Sequence, residues 1–171
     1  MKPFKVLILL SLLGSQLALA QNCYLNIPET TPATRFTTHD DGTVSDNLTG
    51  LMWQRCNYGE SYNASTQSCD GQATRVNWQQ ALQASENFRL AGHDDWHVPN
   101  IKALASIVEH QCVLPAVNES VFAGAKNDNY WSNTGDLVRQ DHAWVYQFAD
   151  GKNNLKVKTS DLYLRLVRFA K

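Results

Sequence analysis

The feature that most constrains the fold of this sequence is a set of four cysteines in a chain that begins like an exported protein. Lys2 and Lys5 form a positively charged segment before an apolar run at residues 6–13, and Ala18-Leu19-Ala20 is typical of a signal-peptidase site. The pattern predicts a signal peptide at residues 1–20 with cleavage near Ala20. The mature protein is therefore expected to be secreted, periplasmic or at the cell surface, where an even number of cysteines favours disulfide bonds.

Cys23, Cys56, Cys69 and Cys112 allow three pairings. The segment between Cys56 and Cys69 is rich in Asn, Ser, Gly and Tyr and has no periodic apolar pattern, which favours a local bridge. Cys23 would then bond to Cys112. The loop-entropy model assigns about 3 kcal/mol to the short loop and more to the long one. The spacing of the cysteines and histidines does not resemble a zinc site, and no metal site is predicted.

Residues 21–171 are predicted to form one α+β domain, because no repeat, linker or low-complexity tract interrupts them. Asn77 and Gln80 form a capping box that opens a first helix, which should run toward Gly92. A second helix should begin at Asn100 and reach about His110. Asp-Gly pairs at 41–42 and 150–151 predict hairpin turns. The strands are expected at residues 35–38, 43–45, 51–54, 130–133, 143–149, 154–159 and 162–169.

A set of motifs lies at residues 35–36, 41–55, 91–102, 130–132 and 165–168, in an order typical of one bacterial family. They resemble the Lcl C-terminal domain family, named after the collagen-like adhesin of Legionella. That family is similar to C-type-lectin-like and sulfatase-modifying-factor domains, so the resemblance implies a lectin-like fold with two helices and antiparallel hairpins. His97 and Val98 depart from the pattern, which usually has Arg and Leu there. The collagen-like stalk is missing, so functions that need the stalk do not transfer.

Charge is unevenly distributed along the mature chain. Residues 21–150 hold seven basic and fifteen acidic side chains, whereas residues 151–171 hold six basic side chains against Asp161 alone. Alternation along an extended strand would put Lys152, Lys156 and Lys158 on one face. A solvated, basic sheet edge explains these lysines without any ligand. The alternative hypothesis is a site for a sulfated or acidic glycan formed by Lys152, Lys156, Lys158 and Arg165, in line with the glycosaminoglycan binding that the family resemblance implies.

Aromatic residues offer a second kind of sugar contact. The five tryptophans fall on predicted elements or at their ends, and they are assigned to packing. Tyr58 and Tyr62 lie in the Cys56–Cys69 loop and are the predicted sugar-stacking residues. Asp40, Asp41, Asp46 and Asn47 are explained by turn chemistry more readily than by calcium.

The sequence therefore predicts a noncatalytic binding module for surface or host carbohydrate. The alternative is a structural or protein-binding component of a bacterial envelope or appendage. No hydrolase motif appears, and four paired cysteines would leave no thiol for catalysis, so no enzyme and no cofactor are expected. Neither nucleic acid nor a membrane span is expected, and the oligomeric state stays open.

Overall fold

Short antiparallel strands dominate residues 21–170, which are the part of the chain that the computed structural model describes. The predicted signal peptide lies outside these residues. The α-helices are α1 (Trp78–Glu86) and α2 (Ile101–Ser106), and one 3-10 turn spans Ala33–Arg35. The strands are β1 (Asn22–Cys23), β2 (Phe36–Thr38), β3 (Thr43–Asp46), β4 (Leu51–Gln54), β5 (Glu60–Asn63), β6 (Ser68–Gly71), β7 (Cys112–Val113), β8 (Asn129–Gly135), β9 (His142–Gln147), β10 (Lys152–Val157) and β11 (Val167–Phe169).

The described strands form four small sheets, ordered β11-β4-β3-β2, β10-β9-β8, β1-β7 and β5-β6. The prediction of a lectin-like α+β domain was wrong in its class, since 35% of the structure is strand and only 12% is helix. Both predicted helices exist but are shorter than the apolar periodicity indicated. The second stops at Ser106 because Val108, which shares its pattern, pairs instead with Val117. The first ends at Glu86, well before Gly92, and Leu90 then pairs with His93 across a turn.

Turn and cap chemistry predicted from local sequence is confirmed. Gly42 joins β2 to β3 at a φ of +84°, and a Cβ there would lie 2.9 Å from the Tyr62 Cβ, so this turn requires glycine. Asp150 and Gly151 join β9 to β10 in the same way. The Asn77 side chain accepts from the Gln80 amide at 2.9 Å, and the Gln80 side chain accepts from the Asn77 amide at 3.0 Å.

The core has two clusters, one on each face of the β8–β9 ribbon. Trp131 and Val145 are paired in register and pack with α1 on one face. Tyr130 and Tyr146 form the next pair and pack with α2 on the other face. Because both faces are covered, β8 and β9 are fixed in position, and loops and helix ends around them are held in defined places.

Both predicted disulfides are confirmed, joining Cys23 to Cys112 and Cys56 to Cys69. The first links the paired strands β1 and β7, and it is accompanied by a buried carboxylate. Glu109 accepts hydrogen bonds from the Thr31 amide at 2.7 Å and from the Thr30 amide at 3.0 Å. Burial alone would raise the pKa of the Glu109 carboxyl, but these bonds and one from Gln111 hold it below the ordinary value. The N-terminal segment is thereby fixed to the middle of the chain.

Candidate functional site

The lysines of β10 occupy an edge strand, as the sequence suggested, but they are not equivalent. Lys152 is exposed and forms an ion pair with Asp150 at 2.9 Å. Lys156 is half-buried opposite Ala143 of β9. Within residues 21–170, neither Lys156 nor Lys158 forms an ion pair with a carboxylate. The two lysines without an ion-pair partner therefore lie at the C-terminal end of β10, away from Lys152.

Lys158 is held in a defined position just after β10. Its Nζ donates to the Gln140 carbonyl at 2.8 Å and lies 4.3 Å from the centre of the Trp78 ring. Its backbone amide donates to the Asp141 carbonyl at 2.8 Å, and its carbonyl accepts from the Trp78 amide at 3.0 Å. The lysine side chain is consequently pre-oriented by a cation–π contact and a hydrogen bond.

The Trp78 ring and Lys158 together form part of an open cleft of about 330 Å³, here called the Trp78 cleft. The indole Nε1 donates to the Ser132 carbonyl at 2.8 Å, which fixes the ring against β8. The cleft offers an apolar surface, amide and hydroxyl groups and one cation, a combination suited to a sugar that carries an acidic group. Its lining residues are Asn77, Trp78, Gln79, Leu82, Lys158 and Thr159.

Trp78 was assigned to packing from the sequence, and its place beside Lys158 went unrecognised. Helical periodicity correctly puts Trp78 on the inner side of α1, with Ala81 and Leu82. Its contact with Lys158 joins residues 80 positions apart, and no local pattern carries that information. The tryptophan is half-buried, so it contributes to both packing and the cleft.

Arg165 is not part of this basic surface, contrary to the sequence prediction. The residue is completely buried, and its guanidinium donates to the carbonyls of Gln54, Arg55 and Cys56. It also donates to the Asn57 Oδ1 at 3.1 Å. The excess of basic residues at 151–171 groups Arg165 with the lysines, but residues 162–166 lie outside β11 and turn the side chain inward. Such a guanidinium cannot reach a surface polyanion.

The buried guanidinium belongs to a polar network behind the Cys56–Cys69 bridge. Asn57 Oδ1 also accepts from the Tyr130 hydroxyl, and Asn57 Nδ2 donates to Glu60 at 2.8 Å. Glu60 in turn pairs with Lys126 at 3.0 Å. Burial raises the pKa of Tyr130 to about 12, so its hydroxyl stays protonated and able to donate. Burial also lowers the pKa of Arg165 from its ordinary value. This network is structural, and within the described residues its Arg165 Nε is buried without a hydrogen-bond partner.

The two tyrosines predicted to stack on sugar lie in different environments. Tyr58 borders a cleft of about 490 Å³, and its ring centre is 6.1 Å from that of Phe88. Tyr62 lies in β5 with the Arg55 guanidinium 4.4 Å from its ring centre, so a ring face is already covered. Tyr58 is thus the better placed of the two for a sugar. Helix α1 separates its cleft, lined by Gln80 and Gln83, from the Trp78 cleft.

A family model described as the Lcl C-terminal domain matches residues 42–168. The chain belongs to this family. The resemblance seen in the sequence is thereby confirmed, and it indicates an adhesin-associated domain. The Lcl C-terminal match begins at the turn glycine Gly42 and includes Trp78 and Lys158, whereas Cys23 lies before it. A comparison with curated proteins finds no match.

The disulfides bear on where this protein works. Its two disulfides fit an extracellular or secreted protein. None of the helices in residues 21–170 is long and apolar enough to cross a membrane.

Proposed function

We propose that this protein is a noncatalytic, adhesin-like binding module that recognises acidic carbohydrate through the Trp78 cleft. One observation carries the proposal: the Lys158 ammonium lies against the Trp78 ring in an open cleft and has no carboxylate partner among the described residues. A sulfate or carboxylate on a sugar would supply the missing counter-charge.

The chemistry of the cleft supports a sugar over a simple ion. Leu82 and the indole offer an apolar surface for sugar CH groups, while Gln79 and Thr159 can exchange hydrogen bonds with hydroxyls. Lys156 adds a second positive charge nearby on β10. Gln140 and Trp78 already orient the Lys158 side chain in the free protein. Ligand binding therefore loses less side-chain conformational entropy.

A noncatalytic role agrees with the cysteine chemistry. All four cysteines are in disulfides, so no thiolate is available as a nucleophile. The family's adhesin association points in the same direction.

The second candidate, a protein-binding component of an envelope or appendage, is favoured by a different feature. Leu137 and Val138, at the tip of the β8–β9 hairpin, are 96% and 89% exposed. Asp136 holds this loop in shape by accepting from the Val138 amide and from Arg139. Two neighbouring apolar side chains on a fixed loop suit contact with another protein.

Heparin chromatography of residues 21–171 tests the glycan proposal. We expect retention that falls with salt, because screening weakens contacts between exposed charges. The double variant Lys156→Met/Lys158→Met, which keeps the aliphatic stems but removes both charges, should elute at clearly lower salt. Lys152→Met is the matched control, and its elution should fall less because Asp150 already pairs with that lysine.

Elution of the unaltered protein in the void at low salt would contradict the proposal. Equal elution of the double variant and the unaltered protein would also exclude the Trp78 cleft as the site. A glycan array separates the two candidate functions, since hits on acidic glycans support the first. A blank array, with loss of a co-purifying protein in a Leu137→Ser/Val138→Ser variant, would support the second.

A further inference from the structure

A second cleft, here called the Phe169 cleft, opens where β11, β4 and α2 meet. Its volume is about 310 Å³, and Leu51, Ala103 and Val167 form its apolar part. Phe169 is 63% exposed and lies with its ring centre 5.7 Å from that of His97. An exposed aromatic residue that borders a concave surface is a suitable platform for the face of a sugar ring.

The polar rim of the Phe169 cleft favours an anionic ligand. Lys102 is exposed and forms no ion pair within residues 21–170. No carboxylate is among the residues that line the cleft. Asp95, two residues before His97, already accepts hydrogen bonds from two Arg168 nitrogens, Nε at 2.6 Å and Nη2 at 3.1 Å. Lys102 is therefore a cation without a local counter-charge.

The two clefts reach β8 at consecutive residues. The Ser132 carbonyl accepts from Trp78 in the Trp78 cleft, and the following residue, Asn133, lines the Phe169 cleft. Consecutive Cα atoms are about 3.8 Å apart, so the Trp78 contact and the Phe169 cleft meet β8 at neighbouring residues, on an edge strand of the β10-β9-β8 sheet. Asn133 is exposed, and its amide side chain makes no hydrogen bond among the described residues.

We infer that the Phe169 cleft is a second subsite, which takes another acidic sugar unit of the glycan chain bound in the Trp78 cleft. This inference rests on the proposed function. Lys102 supplies the anion contact, Phe169 the apolar platform and Asn133 a hydrogen-bonding group on the strand that the glycan crosses. The ligand is then an oligosaccharide, because joining two weak contacts in one chain raises the affinity above that of either contact alone.

Affinities for heparin fragments of two lengths test the inference by calorimetry. Lys102→Met should weaken binding of a decasaccharide about fivefold, which is the upper range for one exposed charge contact, and should leave disaccharide binding unchanged. Lys158→Met should weaken binding of both fragments. Phe169→Ala should repeat the length-dependent loss without a change in charge, and Lys152→Met is the control for charge removal alone.

The possible failures are distinguishable. If Lys158→Met weakens both fragments while Lys102→Met and Phe169→Ala change neither, the second subsite is wrong and the proposed function stands. If no fragment binds the unaltered protein, the proposed function itself fails. If Lys102→Met weakens the disaccharide as much as the decasaccharide, the Phe169 cleft is not a length-dependent subsite and the inference is overturned. Equal thermal unfolding midpoints for all variants would show that none of these results comes from misfolding.

Discussion

Replacing Arg165 with methionine distinguishes a structural guanidinium from the ligand contact that the sequence suggested. The carbonyls of Arg55 and Cys56 accept no other hydrogen bond among the described residues, so the variant leaves two buried acceptors unpaired. Each unpaired buried acceptor costs about 1–3 kcal/mol, and removing one member of a buried charged network costs about 3–5 kcal/mol. We therefore expect Arg165→Met to lower the free energy of unfolding by about 3–5 kcal/mol.

Urea unfolding with the disulfides intact measures this change. The midpoint should fall with little change in slope, because the surface exposed on unfolding stays nearly the same. Lys152→Met removes the same charge from an exposed ion pair and should leave the midpoint unaltered. A loss below about 1 kcal/mol for Arg165→Met would refute the structural reasoning. Weaker heparin binding with unchanged stability would instead restore Arg165 as a ligand residue.

Two further predictions concern stability. Glu109→Gln should cost about 1.5–3 kcal/mol near neutral pH, because an amide nitrogen would face the donors that the carboxylate now accepts from. The folded-state pKa of Glu109 lies below its ordinary value of 4.5, so this stabilisation is complete above that pH and is lost as the pH falls through the lower value. Urea midpoints measured across this range should converge for the two proteins, and a constant difference would contradict the mechanism. Serine replacement of Cys56 and Cys69 should cost about 3 kcal/mol, and that of Cys23 and Cys112 about 4.5 kcal/mol, because the second loop is longer. The thermal unfolding midpoint should therefore fall further in the variant without Cys23 and Cys112 than in the variant without Cys56 and Cys69. A larger fall in the second variant would contradict the loop-entropy account.

Local signals predicted much of the fold because their physics is local. The Asn77 capping box, the Asn100 cap and the turn at Gly42 each depend on residues within three positions of one another. The disulfide pairing was also predictable from composition. The polar segment between Cys56 and Cys69 has no periodic apolar pattern, which favours a local bridge between these two cysteines. That same reasoning missed the β5–β6 hairpin inside the loop, whose polar strands carry no apolar alternation.

Features that depend on distant contacts could not be predicted. The length of α2 is set by the pairing of Val108 with Val117, and the fate of Arg165 is set by carbonyls about 110 positions earlier. In the same way, charge counting found Lys158 but not the tryptophan against which it lies. The sequence pattern indicated Lys158, whereas only the fold shows that Lys158 contacts Trp78.

The nested arrangement of the disulfides has a consequence for how the chain matures. Cys56 and Cys69 both lie inside the loop closed by Cys23 and Cys112, which are separated by 89 residues. In a chain that is exported with its N-terminus first, Cys23 meets Cys56 and Cys69, which are not its native partners, before Cys112 appears. Oxidation in order of appearance would join Cys23 to Cys56, and thiol–disulfide exchange would then be needed to reach the native pairing. A cell compartment that reshuffles disulfides as well as forming them would correct such a mispairing.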